Sequence, residues 1–519
     1  MKRLKNIIAL LLAFVMILGM LAGCAAVQGK TDAPAAEADK TTGSEEKPSS
    51  GEYPVVSWYL MSADANVRDL DAVQAAANEI LREKIGIEIQ LYFLSGTNFT
   101  EKMNVMMNAG DEMDIMAGGA YTGTEFDTAF RTGSLLALDD LLNEYGQDIL
   151  AKSDARGWES VTRNGKIYAI PSNMPWASGN ILSWRKDLVE KYSIDIDSIK
   201  TAEDLEPVLA MIKENELDVI PINNCNTEIG NTSDAFAYAS VVGKASPVIK
   251  DLLVFNYDTQ KMESWFDQSE VQDVYREMAD YYQKGYTPSD ALARTDGAVE
   301  YKSGDYFVFN ITNEFSGGSK STGICGFDCL ESLINYSEIT TGSMNLVCTY
   351  ISATSKQPEN AMKVVNAVWS DPALLNLLAY GIEGVNYTVV GTDKNGNPSV
   401  EPKSGDEQRW AVFHNFWGPL WDQWDSPWNS TEALEAMKEA NANSPASQIV
   451  GFSFDQEPVK TQMAEILAIK AEVLPVLRTG VAPDVDAYLA EVHERMEAAG
   501  MSEVLEEAQR QYEEWLKNK

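Results

Sequence analysis

Residues 54–118 switch back and forth between two hydrophobic periods. This alternation constrains the fold more than any other feature of the chain. Residues 54–60 read as a strand. Residues 66–84 place Val67, Leu70, Val73, Ala77 and Leu81 on one helical face, with Gly86 as the stop. "IGIEIQLYFL" then alternates Ile87, Ile89, Leu91 and Phe93, as a strand does. Residues 99–108 form a second helical stretch ended by Gly110, and "DIMAGGA" reads as a short strand entering a glycine-rich loop. Strand, helix, strand, helix, strand in that order predicts a parallel sheet with helices on its faces.

The theme returns further on. "GKIYAIP" is a short strand stopped by Pro171, and "NILSWRKDLVEKY" runs from strand to helix. Thr201 caps the helix of "TAEDLEPVLAMIKENE", with Asp204 at the capping-box position. "LDVIPIN" is a buried strand, 271–284 a helix and "DYFVFN" a strand. Helices follow at 360–370 and 459–474, and two acidic helices come after Asp484. "YTVVGTDKNGNPSVEP" predicts a hairpin turning at Asn395-Gly396. No repeat or heptad interrupts this pattern. The expectation is an α/β chain of two lobes, each a sheet flanked by helices, with extra helices at the C-terminus.

The N-terminus is of another kind. Lys2, Arg3 and Lys5 precede an uncharged apolar run over 7–21, too short for a comfortable membrane span. Leu21-Ala22-Gly23-Cys24 resembles the bacterial lipobox, which implies cleavage before Cys24 and lipidation of that cysteine. Two or more acyl chains hold a protein stably on a membrane, each buried methylene adding about 0.8 kcal/mol. Residues 1–23 are thus expected to be a lipoprotein signal peptide. Residues 24–51, rich in Ala, Ser, Thr, Glu, Lys and Pro, should form a flexible leash from the lipidated cysteine.

The formal charge is −37, and loss of the cationic leader would make it more acidic. Nucleic acid and anionic membrane surfaces would repel such a chain. With Cys24 acylated, Cys225, Cys325, Cys329 and Cys348 remain, too few for a disulfide scaffold and without zinc-site spacing. Cys325 and Cys329 either pair or remain free thiols.

Local signs of catalysis are scarce. Histidine occurs only as His414 and His493, so a triad or histidine metal site would rest almost wholly on His414. "SGGSKSTG" does not match a phosphate loop, and the glycine of "DKNGNPSVE" is misplaced for a calcium loop. With 78 Asp and Glu residues, no single carboxylate pair marks a glycosidase. We expect no cofactor, no metal and no enzyme activity. Aromatics are more telling. "RWAVFHNFWGPLWDQWDSPWNS" holds Trp410, Trp417, Trp421, Trp424 and Trp428, with Asn415, Asp422 and Asp425 between them. Sugars offer apolar C–H faces and a rim of hydroxyls, so a sugar site needs aromatic platforms and polar acceptors. Most of these rings should be core, and one or two could line a cleft.

"NGKIYAIPSNMPWASGNILSWRKDLVEKY", "YKSGDYFVFN", "ISATSKQPENAMKVVNAVWSDPALLNLLAYGIEGVNYTVV", and "GFSFDQEPVKTQMAEI" with "AGMSEVLEEAQRQYEEW" together resemble extracellular solute-binding proteins of family 1. The likeness is to a lipoprotein subgroup associated with complex carbohydrates, and it spans nearly all of residues 52–519. It implies a type II periplasmic-binding-protein fold, with 52–168 plus 297–350 as lobe 1 and 169–296 plus 351–519 as lobe 2. It implies an oligosaccharide or related solute bound between the lobes, and ABC permease subunits as partners. It also implies a monomer anchored by lipid on the outer face of the cell membrane. Ligands of α/β sheets sit at the carboxyl ends of strands. That rule points to Trp58, Met61, Gly118, Gly119, Tyr121, Asn173, Trp176, Asn310, Asn313, Glu383 and Tyr387, beside Asn415 and Trp417 of the aromatic stretch. Two alternatives stay open: an exported glycan hydrolase, and a sensor or adhesin presenting ligand to a membrane signalling protein.

Overall fold

The computed structural model describes residues 53–62, 67–227, 231–427 and 429–519. The expected signal peptide, Cys24, the leash and Trp428 lie outside these residues. The principal strands, in chain order, are β1 (Val55–Ser62), β2 (Glu88–Ser95), β3 (Ile115–Gly118), β4 (Ile170–Pro171), β5 (Gly179–Arg185), β6 (Ile220–Ile222) and β7 (Ala245–Ile249). They continue with β8 (Leu253–Asn256), β9 (Lys261–Ser264), β10 (Tyr306–Phe309), β11 (Cys329–Tyr336), β12 (Cys348–Ile351), β13 (Tyr387–Thr392) and β14 (Pro398–Pro402). The principal helices are α1 (Leu70–Ile85), α2 (Gly96–Ala109), α3 (Ala202–Asn215), α4 (Thr232–Val241), α5 (Ser269–Gln283), α6 (Pro358–Ser370) and α7 (Pro372–Tyr380). After them come α8 (Thr431–Asn443), α9 (Lys460–Thr479), α10 (Val485–Ala498) and α11 (Met501–Asn518).

The first sheet has the order β2-β1-β3-β12-β4. β1 pairs in parallel with β2 and with β3, as the alternating pattern requires. β12 enters antiparallel beside β3, with Cys348 opposite Gly118 and Ile351 opposite Ile115. Val56, Trp58 and Leu60 point from β1 into the core. Asn78 of α1 clamps helix to sheet: its amide donates to the Ile89 carbonyl at 3.1 Å and its Oδ1 accepts from the Ile89 N–H at 2.7 Å. A buried amide matched on both ends costs nothing in desolvation that it does not recover.

The second sheet runs β11-β5-β10-β6. A separate antiparallel sheet, β9-β8-β7, packs beside it, and the C-terminal helices α9, α10 and α11 cover this half. α3 begins with the expected capping box: Thr201 Oγ1 accepts from the Asp204 N–H at 3.1 Å, and Asp204 Oδ2 accepts from the Thr201 N–H at 2.9 Å. The hairpin β13–β14 turns at Asn395-Gly396, with Gly396 at φ +85°. Cys225, Cys325, Cys329 and Cys348 are buried free thiols. No helix among the described residues is long and apolar enough to cross a membrane.

The division into lobes departs from the expected boundaries. One core gathers residues between Val56 and Ala177 and again between Ile339 and Val450. The other gathers Leu182 to Val308 and Val459 to Val504. β10 and β11, expected in lobe 1, both pair with β5 of the second sheet. α6, α7 and the aromatic stretch, expected in lobe 2, pack on the first sheet. Periodicity marks a strand but not the sheet that receives it, and residue spacing carries no record of which lobe an inserted segment joins.

Two measurements test these packing statements. A Cβ on Gly118 would lie 1.9 Å from the Tyr350 ring. Gly118→Ala should therefore lower stability by about 1–3 kcal/mol, read by urea unfolding, and Tyr350→Leu should relieve part of that loss. Burial pulls the His414 imidazole down to about 4, with the Tyr380 ring edge-on at 4.8 Å. Between pH 6.5 and 4 the unfolded chain binds a proton that the folded chain declines, so stability falls as pH drops through that window and levels off below it. The loss is up to about 3 kcal/mol, less in proportion to the exposure the residue keeps. Melting of His414→Gln should lack this part of the acid slope; parallel pH profiles for the two proteins would refute the assignment.

Candidate functional site

Between the two cores lies a cleft of about 910 Å³. The described chain passes from one core to the other near residues 178, 337 and 450, and these crossings bond to one another. Ser337 N–H donates to the Ser178 carbonyl at 2.8 Å, Ile339 N–H to Pro445 at 2.8 Å, and Ser447 N–H to Ile339 at 2.9 Å. The crossings form the back of the cleft.

The first wall starts where β3 ends. Gly119 adopts φ +103°, and a Cβ there would sit 2.5 Å from the Asn345 carbonyl oxygen, so only glycine lets the chain turn out to Ala120 at the cleft. Asp127 follows on the same wall, its carboxylate held by Arg163 at 2.7 Å. The Arg163 guanidinium lies over the Phe126 ring at 4.8 Å. Trp176 completes this side; its Nε1 meets no protein acceptor among the described residues.

The second wall is α4 and the β7 strand. Asp234 and Tyr238, one turn apart on α4, both face the cleft. Behind them Arg478 of α9 reaches Asp234 Oδ1 at 2.7 Å and Asp251 Oδ2 at 3.0 Å. The Tyr238 hydroxyl donates to Asp251. Burial pushes the Asp234 carboxyl up to about 6, against the pull of the Arg478 guanidinium and with Asp251 adding to the rise. Glu338 stands at the central crossing, accepting from the Gly243 N–H at 3.1 Å and from the Tyr257 hydroxyl; burial raises its pKa also. Segment 449–456, from the last crossing, supplies Phe452 and Phe454.

Of the residues expected from the sequence, Trp176, Asn310 and Asn313 line this cleft. Asn310 donates to the Ile181 carbonyl at 2.9 Å, and the Asn313 carbonyl accepts from the Gly179 N–H at 2.7 Å. Tyr121 follows cleft-lining Ala120 and is 47% exposed, set edge-on to Phe413 at 5.6 Å. The others do not line the cleft. Trp58 and Trp417 are core rings packed edge-to-face at 5.3 Å, and Met61 is buried near them in the same core. Gly118 makes room for the Tyr350 ring, and Gly119 for the Asn345–Leu346 backbone. Asn173 donates to the Lys152 carbonyl at 2.9 Å. Tyr387 is buried beside Tyr380 and Trp424, exposed Glu383 precedes it, and Asn415 sits half-buried in the turn His414–Trp417.

The strand-end rule thus located Trp176 on the first wall and Asn310 and Asn313 at the end of β10 in the second sheet, and missed α4 and β7. Asp234, Tyr238 and Phe454 carry no local signature; they meet only because α9 packs behind α4. Among the described residues no group of histidine, cysteine and carboxylate side chains is placed to hold a metal ion.

Known proteins match both the fold and its parts. Residues 64–319 fit the family described as bacterial extracellular solute-binding protein, and residues 448–517 fit a domain of unknown function, DUF3502. A carbohydrate ABC transporter substrate-binding protein of Streptococcus pneumoniae is 29% identical over 490 residues, covering 92% of this chain and 94% of that one. The solved N-glycan transport solute binding protein of S. pneumoniae, NgtS, superposes with a TM-score of 0.71 at 26% identity, over 90% of this chain and 99% of its own. Its complex with Man5GlcNAc gives 0.57 at the same identity and coverage. The two-lobed architecture and the match over residues 64–319 agree: this chain is similar to the bacterial extracellular solute-binding proteins.

Proposed function

We propose that the chain binds an oligosaccharide in the interlobe cleft and delivers it to the permease subunits of an ABC importer, without converting it. The observation that carries this is the cleft itself: two lobes with separate cores, joined by bonded crossings, enclosing a volume at the upper end of the usual range for small-molecule sites. Its walls combine aromatic faces, Trp176 and Tyr238, with hydrogen-bonding groups, Asp127, Asp234, Asn313 and Glu338. That is the mixture a sugar ring asks for. The names of the similar proteins support a carbohydrate, and the sugars in the NgtS complexes make mannose- and GlcNAc-containing glycans the first candidates.

Closure of the lobes would be a population shift drawn by contacts that only the closed form offers. In support, the chain superposes on one NgtS structure at 0.71 and on the NgtS complexes with Man1GlcNAc and Man5GlcNAc at 0.60 and 0.57. In this reading Cys24 carries the lipid, residues 25–51 are the leash, and the receptor works as a monomer on the outer face of the membrane.

Three outcomes are expected. Residues 25–519, titrated with a panel of neutral oligosaccharides, monosaccharides and peptides, should show a rise in melting temperature and a shift in tryptophan emission for an oligosaccharide. The sugar should be recovered intact by chromatography, and released product would instead support a hydrolase. Small-angle scattering with the bound sugar should report a smaller radius of gyration; an unchanged radius would argue against closure. Cys24→Ala should move the protein from the membrane fraction to the medium, and its retention on membranes would refute the lipid anchor.

A further inference from the structure

The C-terminal region, residues 448–517, matches a family described only as of unknown function. We propose that it is part of the binding site: it lines the cleft directly, and it orients the cleft carboxylate Asp234 through Arg478. This rests on the reading of the cleft as a sugar site.

The direct contribution is segment 449–456. Ile449, Phe452, Phe454 and Gln456 all face the cleft. The segment is pinned from three sides. Ser447 and Ser246 hydroxyls bond at 2.7 Å, Gln448 N–H donates to the Tyr257 hydroxyl at 3.2 Å, and Gly451 N–H donates to Thr341 Oγ1 at 2.9 Å. The indirect contribution comes from α9. Arg478 spans two carboxylates, Asp234 on the cleft wall and Asp251 behind it, and Lys470 of the same helix lies 3.9 Å from Asp251. Side-chain exposure is 15% for Arg478 and 6% for Asp251. Two carboxylates this enclosed repel unless a cation holds both. A planar guanidinium can stand against both at once: Nη2 of Arg478 donates to Asp251, while its Nε lies 2.7 Å from Asp234 Oδ1 as a charge contact without hydrogen-bond alignment. Arg478 therefore holds Asp234 by charge and favours its ionised form, and an ionised carboxylate accepts from a sugar hydroxyl more strongly than a neutral acceptor does. Asp234 is the ligand-facing group; Arg478 is a positioning residue.

The test uses the mature chain, Man5GlcNAc as probe, and isothermal titration of Asp234→Asn, Arg478→Lys and the double variant. Asp234→Asn keeps the shape and should weaken binding by roughly tenfold or more with little change in melting temperature. Arg478→Lys should weaken it by a smaller factor and speed amide hydrogen exchange over α4. The double variant should bind no more weakly than Asp234→Asn alone, because Arg478 acts through Asp234. Wild-type affinity in Asp234→Asn would overturn the proposal, as would losses that simply multiply in the double variant. If Arg478→Lys does not fold, Phe454→Ala on the cleft segment decides: unchanged affinity there would overturn the proposal. Failure of the wild-type protein to bind Man5GlcNAc at all is a distinct result: it counts against the sugar reading, and this inference falls with it.

Discussion

The pairing of β12 with β3 is the contact on which the rest of the molecule depends. β12 lies far along the chain, after the whole second sheet has been laid down, yet it inserts antiparallel next to a strand formed near the start. That return makes the larger part of the second lobe, Leu182 to Val308, an insertion within the first, and the C-terminal helices then rejoin it. Three features serve it. Gly118 leaves room for the Tyr350 ring, and the Tyr350 hydroxyl reaches the Thr124 carbonyl at 3.1 Å. The Asp114 carboxylate gathers Ser57 from β1 and Ser355 from beyond β12, the latter at 2.5 Å. Once that strand is in place the crossings are forced together, and a cleft between the lobes follows from topology.

Local grammar was legible from residues alone. Period-two runs became β1 and β2, the glycines after α1 and α2 became left-handed caps, and the Thr201 box closed as written. Ownership was not legible. "DYFVFN" reads as a strand in any sheet, and only its partners β5 and β6 assign it to the second. The tryptophan-rich stretch shows the same limit from another side. Burying Trp417 and Trp410 offers more free energy than displaying them, so the first core takes rings whose spacing would equally suit a sugar platform. The three antiparallel strands β7, β8 and β9 have no counterpart in that reading; each is short, and β9 packs on a helix, α11, from the far end of the chain.

Charge is handled differently inside the cleft and outside it. The acidic surface keeps the chain soluble and needs no further account. Within the cleft, Asp127 and Asp234 stand on opposite walls, and each is backed by an arginine from outside the cleft, Arg163 and Arg478. The arrangement presents acceptors to the interior while keeping the cationic partners behind the walls. The carboxylate oxygens face the cleft, and their cationic partners are set back from it.

The discontinuity of the lobes has a bearing on the moment at which this chain can become a protein. The first core needs residues as late as Val450, and the second needs Val504. Neither half can finish while most of the chain is still being made, because strand partners arrive hundreds of positions apart. Contacts of such long range form slowly. A polypeptide destined to be threaded through a narrow translocation pore must arrive there unfolded. Here the wiring that divides the molecule into two halves also means that neither core is complete until nearly all of the chain is present, the order of events such a passage would require.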